Sequence, residues 1–87
     1  MEKNELIQYM ENTKSEIMRS NKMSYVISTR INRMFLLLRN YSDTNSKNDL
    51  REYVAAHISD TTHGYGQDTS FEKGKMIAII DRALELL

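Results

Sequence analysis

The sequence predicts an all-α protein, a small bundle of three to four helices in one domain. Three observations predict it. Apolar residues recur at spacings of three and four along most of the chain, with no sustained period-two alternation of the kind a half-buried strand needs. The chain has 87 residues, enough for one domain and too few for two. Proline is absent and all three glycines fall within residues 63–74, so the strongest helix-breaking signals are confined to one stretch.

The first helix is expected over about residues 4–19, where Leu6, Met10, Thr13 and Ile17 line one side with Ile7 and Met18 beside them. Ser20 and Asn21 then offer an N-cap, because either side chain accepts a hydrogen bond from an early amide of a following helix. No glycine or proline separates the two segments, so one continuous helix is the alternative.

The second helix, about residues 22–41, carries the clearest stripe: Met23, Ile27, Ile31, Met34 and Leu38, widened by Phe35. The run NYSDTNSK, residues 40–47, is rich in side chains that bond locally to the backbone in competition with helix, and a break is expected there. Ser46 followed by Asp49 resembles a capping box opening a third helix over about 47–59, with Leu50, Tyr53, Val54, His57 and Ile58 at helical spacing. Thr69 and Glu72 form a second such pattern, opening a fourth helix over about 70–86. Met76, Ile80, Ala83 and Leu87 line one side of it, and Phe71, Ile77, Ile79 and Leu84 widen the arc beyond one ordinary face.

A chain of this size buries only roughly 60 to 65 % of the surface its unfolded form exposes. With no cysteine there is no disulfide or thiolate metal site to compensate. Self-association is therefore expected, through the wide arc of the fourth helix. The absence of cysteine fits a cytoplasmic location. No signal-peptide pattern opens the chain, and no segment approaches the ~20 apolar residues of a membrane span.

Few residues suggest chemistry. The glycine-rich stretch HGYGQDTSFEKG, residues 63–74, lacks the preceding strand of a dinucleotide fingerprint and the Gly-Lys-Ser/Thr of a P-loop, and reads as a flexible helix connection, with a contact loop presenting Tyr65 as the alternative. His57, Asp60 and His63 are too few for a closed metal site, and His57 continues the apolar stripe of the third helix. Asp49 and Glu52 are the second of only two acidic pairings that all-α pyrophosphohydrolase chemistry would require, the first lying among Glu2, Glu5, Glu11 and Glu16. No enzyme activity, cofactor or metal is expected.

Charge is distributed unevenly although its formal sum is zero. Residues 20–41 hold four basic groups and no acidic one. Lys22, Arg30 and Arg33 share one flank of the second helix, with Val26 and Leu37 between them and Arg39 on the other side. Such a flank suits an acidic protein surface, a nucleic-acid backbone or an anionic small ligand. The structural alternative is that these arginines pair with the acidic first and third helices.

The ending FEKGKMIAIIDRALELL, with the abundance of Asn, Lys, Ile and Ser and the lack of Cys, Pro and Trp, resembles small accessory proteins of bacteriophages from low-GC bacteria. The resemblance implies a protein that binds one host factor, a defence system included, or serves in phage gene control. The expected function is a helical protein–protein interaction module, with Arg30, Arg33, Lys22 and Tyr65 as its binding residues. A nucleic-acid-binding regulator using helices two and three, and a small anionic-ligand binder, are the alternatives.

Overall fold

In a computed structural model, which describes residues 2–57 and 73–87, four helices follow one another: α1 (Lys3–Arg19), α2 (Tyr25–Thr44), α3 (Asn48–His57) and α4 (Lys73–Leu86). The fold is an all-α bundle, as the spacing predicts. Consecutive helices pack together and α4 closes the ring against α1. The direction of that closure is fixed by two contacts, Lys14 with Asp81 and Lys73 with the Met18 carbonyl. Moving forward along α1 moves backward along α4, so the two are antiparallel.

The ring encloses one core. Leu6, Met10 and Ile17 enter it from α1, Ile27, Ile31, Met34, Phe35 and Leu38 from α2, Leu50 and Val54 from α3, and Met76, Ile79, Ile80 and Ala83 from α4. Ile31, Met34 and Leu38 are wholly inaccessible, and Ile27 nearly so. Each such side chain contributes about 1.5–3 kcal/mol when removed from water.

The α4 arc is met by two neighbours within the chain. That helix packs against both α1 and α3. Ile79 is buried, and Ile77 and Leu84 are half-buried against the same core. Two neighbours absorb an arc too wide for one. Gly74 likewise has no close neighbour, since a Cβ placed there meets nothing within 4 Å. The Thr69–Glu72 capping pattern and Phe71 lie outside the described residues.

The helix boundaries correct the sequence reading at both turns. Ser20 does not open α2; its backbone N–H donates to the Ile17 carbonyl at 3.1 Å and its hydroxyl to the Glu16 carbonyl at 3.1 Å, so it closes α1. The N-cap of α2 is Ser24, whose Oγ accepts from the Ile27 amide at 3.2 Å. The first two helices are therefore separate, and Lys22 sits in their connection, not on the helix where its wheel position placed it.

At its other end α2 runs through Thr44, past the expected break at residue 40. Tyr41 packs against the core and Ser42 is buried with its hydroxyl donating to the Arg39 carbonyl at 2.8 Å, which holds the last turn in place. Ser46 is not the N-cap of α3. It follows the C-cap Asn45 with φ at 55°, and the Lys47 amide donates back to Ser42 at 2.9 Å, the hydrogen-bond pattern of a Schellman stop. The Lys47 carbonyl accepts from the Arg51 amide at 3.0 Å, so Lys47 takes the N-cap position of α3. Asp43 of α2 and Arg51 of α3 then pair across the turn at 3.4 Å.

Candidate functional site

The side of α2 turned away from the core is the most unusual surface among the described residues. Val26, Thr29, Arg33, Leu36 and Asn40 follow one another at intervals of three and four, and all are exposed. Val26 and Leu36 are 69 % and 54 % exposed, and Tyr25 at the start of the same helix 67 %. Only Met18 joins them as a large exposed apolar side chain among the described residues. The inward face of α2 is already filled by core residues, so these apolar groups are surplus to the needs of the bundle.

The four sequence-predicted residues fall into four different situations. Arg33 is exposed on this outer face. Lys22 is exposed in the connection that precedes it. Tyr65 lies outside the described residues, as do Asp60 and His63.

Arg30 stands at the edge of the face and is built into the α1–α2 contact. Its Nε donates to the Thr13 hydroxyl at 3.0 Å, and its guanidinium lies 4.5 Å from the centroid of the Tyr9 ring. Thr13 passes the bond on, donating to the Tyr9 carbonyl at 2.7 Å. The Tyr9 hydroxyl makes a longer contact of 3.5 Å back to the Arg30 carbonyl. Thr13 is completely buried, and a hydroxyl in that position needs partners for both its proton and its lone pairs. The arrangement supplies both.

The expected pairing of α2 arginines with the acidic helices is not what these contacts build. Among the described residues, the ion pairs join Lys14 to Asp81, Arg19 to Glu16, Asp43 to Arg51 and Arg82 to Glu85, and none uses an arginine of α2. Arg30 is held by a neutral hydroxyl and an aromatic face, which leave its charge uncancelled. Tyr9 and Thr13 were not singled out as functional from the sequence. The available signal was a threonine in the middle of an otherwise apolar stripe.

Other candidate chemistry is sparse. His57 is half-buried with its ring 4.4 Å from that of Tyr53, the core-edge position its spacing suggested. Among the described residues, no three His, Cys, Asp or Glu side chains come together in a way that would hold a metal ion. An open cleft of about 440 Å³ lies between the start of α3 and the end of α4, lined by Lys47, Asp49 and Glu85 among others. No described helix is long and apolar enough to cross a membrane. No family model, curated protein or solved structure matches the chain.

Proposed function

We propose that this chain is a non-catalytic, helical protein–protein interaction module that acts by occupying a partner's surface through the outer face of α2. One observation carries the reading: Val26 and Leu36 are largely exposed on a helix whose opposite face already fills the core. Arginine and tyrosine are the types in which interfaces concentrate binding energy, and the exposed Val26 and Leu36 add apolar area beside Arg33 and Tyr25. A small phage-type inhibitor or regulator of a host factor in the cytoplasm is the concrete form, and its support is the resemblance in composition and in the last helix.

The nucleic-acid reading is less well supported. Helix α3, which would have to enter a groove, exposes Asp49 and Glu52 beside Arg51, and those carboxylates would meet phosphates. Arg51 is itself engaged by Asp43.

A Val26→Asp, Leu36→Asp double variant tests the reading, because both positions are exposed and the fold should tolerate the change. Affinity capture from a host lysate should recover one protein with the wild type and lose it with the variant, at an unchanged thermal midpoint. Equal recovery by both proteins would remove α2 as the docking face.

A further inference from the structure

Resting on that reading of α2, we infer that the partner presents an acidic amphipathic helix, laid along Val26, Thr29, Arg33, Leu36 and Asn40, with its carboxylates received by Arg33 and by a pre-positioned Arg30. The spacing indicates the shape of the occupant. Exposed positions recurring at three and four along about 21 Å of helix make a track that another helix matches, with apolar knobs between the polar steps.

Charge indicates its chemistry. Residues 20–41 contain basic groups and no acidic one, and the α2 arginines take no part in the ion pairs among the described residues. Two copies of this face would set arginine against arginine. An acidic partner helix gains where a second copy loses. A nucleic-acid backbone would satisfy the arginines but leave Val26 and Leu36 against phosphate, and the zero net charge of the chain offers no long-range attraction to a polyanion.

Arg30 adds a feature that composition alone does not supply. Free arginine loses side-chain entropy when it engages a carboxylate. Here Thr13 already holds Nε, and the Tyr9 ring covers one face of the guanidinium, so much of that ordering is complete before a partner arrives. The remaining N–H donors of the planar group suit a two-pronged contact with a carboxylate. Tyr9 and Thr13 act as positioning residues for recognition by a helix to which they do not belong.

The test is selection from a displayed library of helical peptides randomised along one face, with the intact chain as bait. Recovered sequences should be enriched in Asp or Glu three or four residues apart with large apolar residues between them. The best peptide should bind at least tenfold more weakly to Arg33→Gln and to Val26→Asp, Leu36→Asp. Replacing its carboxylates by amides should weaken wild-type binding about tenfold and should matter less to Thr13→Val, the signature of pre-positioning. Arg30→Lys, with its thermal midpoint checked, should lose affinity although it keeps the charge.

Recovery of non-acidic peptides, indifference to Arg33→Gln, or no enrichment at all would overturn the acidic-helix inference. If non-acidic binders are still lost with Val26→Asp, Leu36→Asp, the docking face stands and only the partner chemistry fails. Tighter binding of a labelled DNA duplex than of any peptide, or a dimer in sedimentation that the double variant abolishes, would assign the face to a different occupant.

Discussion

Arg30 of α2 and Thr13 of α1 are joined by a 3.0 Å hydrogen bond from Nε to a hydroxyl that no solvent reaches. The same hydroxyl donates to the Tyr9 carbonyl, so the threonine makes one bond within its helix and one across to the next. Thr13→Val keeps the volume and removes the acceptor, leaving a partly buried charged donor without its partner. Chemical denaturation should show a loss of about 1–2 kcal/mol. Thr13→Ser should retain most of the stability, and an unchanged Thr13→Val midpoint would mean that the bond contributes nothing.

The two neighbouring arginines should separate cleanly. Arg30 combines the Thr13 bond with the Tyr9 stacking contact, and Arg30→Ala should cost about 1–3 kcal/mol. Arg33 is exposed, and Arg33→Glu should stay within about 0.5 kcal/mol of wild type in thermal or urea unfolding. Equal effects of the two would contradict the division of labour between an anchored and an exposed guanidinium.

Serine and glycine occupy each other's preferred places in this chain. Ser46 adopts φ of 55°, a conformation costing an L-residue about 1–2 kcal/mol, whereas Gly74 sits in a helix with room for a Cβ. Ser46→Gly and Gly74→Ala should each raise stability by about 0.5–1 kcal/mol, and the gains should add because the sites are independent. A destabilised Ser46→Gly would show that the serine side chain contributes more than its backbone conformation costs.

The Lys14–Asp81 pair gives the bundle an alkaline signature. The hydrogen bond to Asp81 raises the Lys14 pKa above its ordinary 10.5, outweighing the opposing effect of partial burial, and the charges of Asp81 and Glu11 add to it. A raised folded-state value means that the ammonium stabilises the fold fully below the unfolded pKa and that this contribution fades as pH rises through the higher folded value. The difference in thermal midpoint between wild type and Lys14→Met should therefore be constant from neutral pH to about 10 and shrink above it. A difference that grows with alkalinity would have the wrong sign.

Ile31 tests the core itself. It is wholly buried on the central stripe of α2, and Ile31→Ala should cost about 2–5 kcal/mol by the same unfolding measurement. An unaltered midpoint would show that α2 does not form the centre of the bundle.

The stripe through Ile27, Ile31, Met34 and Leu38 was legible because burial on one helical face imposes its own period. The ends of the helices were not, and the serines show why. Ser20, Ser24 and Ser46 are chemically identical, yet one closes α1, one opens α2 and one takes the left-handed stop after α2. Which way a hydroxyl bonds depends on the backbone around it. Arg30 was singled out for its charge, but its anchoring by Tyr9 and Thr13 depends on the register between two helices, which no spacing within one helix encodes. The width of the α4 arc was legible as well, but not the two neighbours, α1 and α3, that share it, because tertiary packing and not spacing within α4 sets them.

The closure of α4 on α1 also has a kinetic consequence. The Tyr9–Arg30 and Thr13–Arg30 contacts span 21 and 17 residues, whereas Lys14 and Asp81 are 67 apart. Joining distant segments costs more chain entropy before any contact compensates, so the pairings of α2 with α1 and with α3 are favoured early and the closure of α4 on α1 late. The lifetime of the closed ring is then governed at the α1–α4 seam, where Lys14, Asp81 and Lys73 hold the last helix in place. Strengthening that seam would lengthen the time the bundle stays shut without making it form any faster.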